Sequence, residues 1–290
     1  MPKAHCIEPL STEEIRRAVQ AALGEDIGGG DVTTLATIPE ATTARAAMIA
    51  REPLTVAGIE FAEAAFREFD SSVLIERETA DGRRVDARAV LLRVNGPARA
   101  LLTAERVALN FVQRLSGIAT LTASFVEAIR WTRAQILDTR KTTPGWRHFE
   151  KYAVACGGGG NHRFDLYERV LIKDNHLAAL RDEKPNPIAA AVARARARWP
   201  SHQVEVEAEG LEQVAQAVEA GADIILLDNM SPEQLCAAVK FVAGRARTEA
   251  SGGVNLQTVR AIAETGVDFI SVGALTHSAR AVDIALDFDR

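Results

Sequence analysis

The chain has 290 residues, of which 47% are hydrophobic and 25% charged, and its formal net charge is −5 at pH 7. This composition is typical of a soluble globular protein, and the mild excess of acid argues against general binding to nucleic acid or to a membrane surface. No apolar run approaches the roughly 18 residues of a membrane span, and the N-terminal segment contains no stretch typical of a signal peptide. Three distant cysteines, Cys6, Cys156 and Cys236, fit a reducing compartment. We therefore expect a cytoplasmic protein.

The first hundred residues predict helices packed on an antiparallel sheet. Ser11 and Glu14 have the spacing of a capping box, and the helix that they open should end near Leu23, before the glycine-rich loop 24–34. Asp81 and Gly82 favour a hairpin turn. Strands are predicted at 43–49, 73–78 and 87–94, and a helix at 58–69.

A long helical stretch follows at 98–130, and we expect it to break near Ser116 and Gly117. We place a domain boundary there, with domains at 1–116 and 117–290, and leave open that the C-terminal tail packs back on the first domain. Beyond the boundary, short apolar strands alternate with helices, which indicates βαβ units and a parallel sheet. The six predicted strands are 134–138, 170–173, 204–207, 223–228, 247–250 and 269–272. A full (β/α) barrel has eight strands, so we expect an incomplete barrel, unless two strands are unrecognised.

Active sites of such barrels lie at the carboxyl ends of the strands, and in this sequence three kinds of residue occur there. Cations suit carboxylates or phosphates, paired carboxylates suit Mg²⁺, and glycine-rich loops that open helices suit phosphate. The cations are Arg140, Lys141 and Lys173, with His162 and Arg163 in the same basic segment; the carboxylates are Glu207 and Asp228; the loops contain Ser251, Gly252, Gly253 and Gly273. Together they predict a metal, a substrate with several phosphates and a second anionic substrate.

Each feature also has a purely structural interpretation. Arg140 and Lys141 are typical of surface ion pairs at a strand end, and His162 of a packed or surface histidine. One of the three glutamates in the 204–209 segment could point to solvent, and Asp228 could cap the next helix. Their common position at strand ends favours a site.

Other reactions lack their motifs, since the sequence contains no GxSxG, HExxH, CxxC or GxGxxG element and no P-loop spacing. A mechanism in which Lys173 forms a Schiff base with the substrate is an alternative to anion binding. The neighbouring cations favour anion binding over that alternative.

The motifs DTRKTTPG, GGGGNHR, VLIKDNH, VEVEAE, GADIILLDN and SVGALTHS occur in the order and spacing of the quinolinate phosphoribosyltransferase family, which this chain resembles over nearly its whole length. The segments EDIGGGDVTT and LLTAERVALNFVQRLSG extend the resemblance to the N-terminal part. Two places depart from the family pattern. EAEG at 207–210 replaces EVEN or EVDN, and Glu168 and Arg169 replace smaller residues.

The resemblance implies an α/β protein with an N-terminal α/β sandwich domain and an incomplete (β/α) barrel, the type II phosphoribosyltransferase fold, in a homodimer. It implies that quinolinate reacts with 5-phosphoribosyl-1-pyrophosphate (PRPP) to give nicotinate mononucleotide, pyrophosphate and CO₂, with Mg²⁺ as cofactor, in NAD biosynthesis.

By the same resemblance, Arg140, His162, Arg163 and Lys173 bind the quinolinate carboxylates, with Arg106 contributed across the dimer interface. Catalytic roles fall to Lys141, Lys173, Glu207 and Asp228; Lys141 contacts the PRPP phosphates, and Glu207 and Asp228 face the ribose and Mg²⁺. Ser251, Gly252, Gly253 and Gly273 bind the 5′-phosphate. Alternatives are a related phosphoribosyltransferase acting on nicotinate or another small acid, and a non-catalytic sensor of phosphate ligands.

Overall fold

The computed structural model describes residues 9–289, so Cys6 lies outside the described residues. In chain order, the elements are α1 (Thr12–Ile27), α2 (Val32–Thr37), β1 (Thr43–Ala50), β2 (Leu54–Thr55), α3 (Ile59–Phe69), β3 (Leu74–Arg77), β4 (Arg84–Val85), β5 (Val90–Pro97), α4 (Ala98–Ala128), β6 (Gln135–Leu137), α5 (Arg147–Cys156), β7 (Val170–Ile172), α6 (Asp174–Ala179), α7 (Pro187–Arg198), β8 (Val204–Ala208), α8 (Leu211–Glu219), β9 (Ile224–Asp228), α9 (Pro232–Val242), β10 (Arg247–Ser251), α10 (Val259–Glu264), β11 (Phe269–Ser271), α11 (Ala274–His277) and β12 (Ile284–Phe288). No helix of this described part is long and apolar enough to cross a membrane.

The chain forms two compact units, which are described separately. The first contains the described residues up to 123 together with 143–158 and 278–289, and the second contains 124–142 and 159–277. The predicted division at residues 116 and 117 stays a prediction.

The first unit is built on an antiparallel sheet with the strand order β12-β1-β5-β3, so the C-terminal strand pairs directly with β1. The predicted strands and the helix at α3 are confirmed within a few residues. Helix α1 begins with the predicted Ser11 capping box but continues to Ile27, because Gly24 is accommodated within it and only Gly28, with φ +49°, ends it. The expected end near Leu23 was wrong.

Helix α4 runs without interruption through Ser116 and Gly117, so the predicted break was wrong. Gly117 has a different purpose, since a Cβ atom there would come 2.0 Å from the carbonyl oxygen of Arg280. The glycine therefore permits a close backbone approach inside the helix. Ser116 also fits the helix because its hydroxyl accepts a hydrogen bond from the Ala57 amide at 3.0 Å.

The second unit contains a six-stranded parallel sheet with the order β6-β11-β10-β9-β8-β7. All six predicted strands are confirmed, and helices α7 to α10 alternate with them as predicted. Within the described residues, β6 and β7 are not paired with each other, so the sheet does not close. Gly160 forms an isolated parallel bridge with Leu137 on β6, and a Cβ atom on Gly160 would meet the Gln135 side chain at 2.5 Å. The glycine run thus lets the chain pass close against β6 and places His162 and Arg163 beside the sheet.

Candidate functional site

A cavity of about 250 Å³ in the second unit is lined largely by residues at or near the carboxyl ends of its parallel strands. Most of the residues predicted for a site lie together there. They are Arg140, Lys141, His162, Arg163, Lys173, Glu207, Asp228 and Ser251. The structure adds Thr139, Leu171, Leu226, Glu249 and Ser271 to the lining.

Both arginines that line the cavity have a hydrogen-bond donor without a partner among the described residues. The Nε atoms of Arg140 and Arg163 are buried and have no hydrogen-bond partner. Burial, followed by the nearby charge of Arg140, lowers the pKa of Arg163. Two adjacent guanidinium groups with unused donors favour binding of an anion, since each can supply charge-assisted hydrogen bonds to a carboxylate or phosphate.

The lysines are placed by their backbones and keep their ammonium groups exposed. Lys173 directly follows β7, and its amide donates to Nδ1 of His176 at 2.9 Å. The carbonyl of Lys141 accepts a hydrogen bond from the Thr276 hydroxyl at 2.7 Å. Neither lysine forms an ion pair with any described residue, so both side chains are available to a ligand.

The two predicted carboxylates lie on adjacent strands, Glu207 on β8 and Asp228 at the end of β9. Burial raises the pKa of Glu207, the charge of Asp228 adds to this effect, and Lys173 opposes it. Asp228 does not cap the following helix, because the cap of α9 is Ser231. Two neighbouring carboxylates in a partly open cavity are a donor set that fits Mg²⁺ completed by substrate oxygens and water.

The loops after β10 and β11 contain the predicted phosphate-binding glycines. Gly252 has φ +93°, and a Cβ atom there would lie 2.1 Å from Oδ1 of Asn229. Gly253 also has a positive φ, +62°, while a Cβ atom on Gly273 would come within 3.1 Å of the Lys141 side chain. These loops need glycine for backbone conformation or close packing, and they place backbone amides near Ser251 and Lys141.

Beneath the cations, the predicted His162 lies against two buried glutamates that the sequence interpretation missed, Glu205 and Glu249. Nε2 of His162 is 3.3 Å from Oε2 of Glu205 and 3.4 Å from Oε1 of Glu249. Burial alone lowers the pKa of His162, but the two carboxylates outweigh burial and raise it. Strand periodicity contained part of the signal: on β8 a side chain two residues before the inward-facing Glu207 must face the same way. The glutamate that points to solvent is Glu209, beyond the strand.

The surrounding hydrogen bonds fix this group in place. Oδ1 of Asp138 accepts from the His162 amide at 2.8 Å, and Oδ2 accepts from the Asn161 side chain at 2.7 Å. Arg169, which lies at one of the two places where the sequence departs from the family pattern, donates a hydrogen bond to Glu205 at 3.1 Å. His162 is thus a rigid part of the cavity wall.

Arg106 is not among the residues that line this cavity. It lies on α4 in the first unit, where its side chain is exposed.

Comparison with known proteins gives the same family for both parts of the chain. Residues 118–287 match the C-terminal domain of quinolinate phosphoribosyl transferase, and residues 31–116 match its N-terminal domain. A nicotinate-nucleotide pyrophosphorylase (carboxylating) of Mycobacterium leprae is 44% identical over 94% of this chain and 96% of its own length. The chloroplastic enzyme of that name from rice is 42% identical over 99% of this chain and 80% of its own length.

A solved structure agrees with the sequence comparison. The nicotinate-nucleotide pyrophosphorylase of Francisella tularensis superimposes with a TM-score of 0.91 at 40% identity, covering 98% of this chain and 99% of its own. The chain belongs to the quinolinate phosphoribosyltransferase family.

Proposed function

We propose that this protein transfers the phosphoribosyl group of PRPP to quinolinate and decarboxylates the product, giving nicotinate mononucleotide, pyrophosphate and CO₂. Membership of the family supports the overall reaction. The structural observation that carries the assignment is a pair of arginines, Arg140 and Arg163, whose buried Nε donors lack partners. A planar dicarboxylate supplies the oxygens that such donors need.

Quinolinate is a dianion, and its carboxylates are assigned to Arg140, Arg163 and Lys173. The fourth predicted residue, His162, supports them from the cavity wall, because its ring nitrogens already face the Arg163 amide and two glutamates. All four line one cavity, and none of the arginine or lysine charges in this set is neutralised by an ion pair with a described residue. A mono-acid such as nicotinate needs fewer cations than this cavity offers. The excess of positive charge therefore favours quinolinate.

The phosphate groups of PRPP are assigned to the other side of the cavity. Lys141 contacts the pyrophosphate, and the loops containing Ser251, Gly252, Gly253 and Gly273 bind the 5′-phosphate through their backbone amides. The open ammonium of Lys141 and its closeness to Gly273 support this arrangement.

Glu207 and Asp228 are assigned to the ribose and to Mg²⁺. Bound Mg²⁺ supplies positive charge that stabilises the pyrophosphate as it departs. Burial and then the charge of Asp228 raise the pKa of Glu207, and this repulsion between the two carboxylates supports a site that gains from binding a cation.

The protein contributes mainly alignment to the first step. The ring nitrogen of quinolinate attacks the anomeric carbon of PRPP while the bond to pyrophosphate breaks. Carboxylates held by fixed arginines orient that nitrogen, and effective molarities of roughly 10⁵ M or more show how much alignment can supply. Lys141 stabilises negative charge on the leaving group.

Assembly and location are further parts of the proposal. A homodimer in which Arg106 reaches the quinolinate site of the partner subunit is supported by the family resemblance and by the exposure of this arginine. The wide spacing of the cysteines supports a cytoplasmic location, although the rice relative is described as chloroplastic.

A product assay tests the proposal. Purified protein is incubated with PRPP, Mg²⁺ and either quinolinate or nicotinate, and mononucleotide and CO₂ are quantified. We expect mononucleotide and CO₂ to form with quinolinate and not with nicotinate. Turnover of nicotinate would instead identify a related phosphoribosyltransferase, and binding of PRPP without any product would favour the sensor alternative.

A further inference from the structure

Glu249 is a buried carboxyl group that the proposed mechanism does not yet use. It lies on β10, two residues before Ser251, so its side chain faces the same interior side of the sheet. It is fully buried, it lines the cavity, and neither of its oxygens has a hydrogen-bond partner. Buried polar groups without partners are rare because they cost stability, and each one calls for an explanation.

The charges around Glu249 indicate where protons are held. The amide of Arg163 donates to Nδ1 of His162 at 2.8 Å, so the ring carries its proton on Nε2, which faces Glu205 and Glu249. Arg169 forms an ion pair with Glu205 at 3.1 Å and balances its charge. Because Nε2 carries a proton, it has no lone pair for a metal ion, and these three side chains do not form a metal site.

Besides the proton on Nε2 of His162, the pair formed by Glu249 and His162 holds one more proton. Burial raises the pKa of Glu249, His162 opposes this effect, and the charge of Glu205 adds to it. The pKa of His162 is also raised. Both shifts describe the same proton, which resides on one member of the pair. The hydrogen bond to Nδ1 leaves no place for it on the ring, so Glu249 is the carboxylic acid and His162 is neutral.

We propose that Glu249 donates the proton that replaces CO₂ on the quinolinate ring, an inference that rests on the proposed function. The bond between the ring carbon next to the nitrogen and its carboxylate breaks, CO₂ leaves, and the electron pair stays on the ring carbon. That carbon then forms a C–H bond with the proton of Glu249. The resulting carboxylate is stabilised by Nε2–H of His162, and water returns the proton after the product departs.

This assignment agrees with the distribution of charge in the cavity. A protonated Glu249 does not repel the incoming dianion, whereas an ionised carboxylate at this position would oppose the work of Arg140 and Arg163. Protonation of the carbon also prevents recombination with CO₂, so a positioned acid commits the reaction to product.

Glu249→Gln tests the proposal, because glutamine keeps the size of the side chain but cannot donate a carboxylic proton. Pyrophosphate and CO₂ are followed separately in a single turnover with enzyme in excess over quinolinate. We expect pyrophosphate release close to that of the unaltered protein, while release of CO₂ and formation of nicotinate mononucleotide slow by a factor on the order of 100 or more. The dicarboxylated mononucleotide should accumulate.

Glu205→Gln is the matched control, since Glu205 is buried next to the same histidine but does not line the cavity. It should slow both products together. Glu249→Asp keeps a carboxylic acid at this position but shortens its reach. It should accumulate less of the dicarboxylated intermediate than Glu249→Gln does. If Glu249→Gln does not fold, a small accumulation in Glu249→Asp is the expected result.

The proposal would be overturned if Glu249→Gln slowed the release of pyrophosphate and of CO₂ equally, or slowed neither. If only Glu249→Asp folds, the absence of any dicarboxylated intermediate in that variant would overturn it. If the unaltered protein forms no CO₂ from quinolinate, the proposed function itself is wrong.

Discussion

Two fully buried glutamates, one in each compact unit, have opposite surroundings. In the first unit, the carboxylate of Glu150 accepts hydrogen bonds from Arg114 at 2.9 Å and from the amide and hydroxyl of Thr143 at 3.0 and 2.8 Å. In the second unit, Glu249 has no hydrogen bond on either oxygen. A buried carboxyl group whose oxygens accept hydrogen bonds stabilises the fold, whereas a buried carboxyl group without hydrogen bonds costs stability and is retained for another reason.

The arginines repeat this contrast. Arg114 donates to Glu150 and to the carbonyl of Ala279 at 2.7 Å, while Arg140 and Arg163 keep unused Nε donors. Proteins tolerate such local costs where a ligand completes the set of interactions. The comparison therefore predicts that changes to satisfied groups lower stability and that changes to unsatisfied groups lower activity.

The largest effect is expected for Arg163→Ala and Arg140→Ala. Each removes charge-assisted hydrogen bonds to a quinolinate carboxylate, so kcat/KM for quinolinate should fall roughly 100-fold. Thermal unfolding should change little in Arg140→Ala and somewhat more in Arg163→Ala, because the Arg163 guanidinium also donates to the carbonyl of Arg169 at 3.1 Å. Steady-state kinetics measure the first quantity, with the exposed Arg181→Ala as a control for loss of charge. Near-normal kcat/KM in either variant would disprove the assignment of that arginine to a quinolinate carboxylate.

Glu150→Gln should behave in the reverse way. It breaks a buried ion pair with Arg114, and the free energy of unfolding should fall by about 3 kcal/mol. Urea unfolding measures this loss, and kcat/KM is determined well below the unfolding transition, where we expect a value near that of the unaltered protein. Loss of activity without loss of stability would contradict the distinction between the two glutamates.

Glu249→Gln should change the free energy of unfolding by less than about 1 kcal/mol, because the carboxyl group that it replaces has no hydrogen bond to lose. The same urea titration measures this effect. A loss as large as that in Glu150→Gln would mean that Glu249 has a stabilising partner in the folded protein.

The sequence predicted the parallel sheet and most of the cavity because both follow from simple periodicities. Alternation of short apolar strands with helices located all six strands, and residues such as Lys173 and Asp228 stand directly at strand ends. Glu249 was missed because the predicted strand ended at residue 250 and Ser251 was assigned to the loop, whereas Ser251 belongs to β10 and shares its interior side with Glu249 two residues earlier. Gly117 was misread as a helix break. The position requires glycine because the carbonyl of Arg280 packs against it, and Arg280 lies 163 positions later in the chain and is brought near only by folding.

A half-exposed carboxylate in the first unit provides the smallest test of the comparison. Hydrogen bonds from Arg280, and then from the Asp283 amide at 2.8 Å, lower the pKa of Glu52 from its ordinary value of 4.5 to about 2. Because the folded state has the lower pKa, Glu52 contributes stability above pH 4.5, and this contribution is lost as the pH falls toward 2.

At pH 7, Glu52→Gln should therefore lower the free energy of unfolding by about 0.5 kcal/mol, the range of a solvent-screened ion pair. The difference from the unaltered protein should shrink below pH 4.5 and vanish near pH 2. Urea unfolding across this pH range measures it, with Glu40→Gln as an exposed control that forms no ion pair with a described residue. A difference that stays constant with pH would show that Glu52 acts through packing and not through its charge.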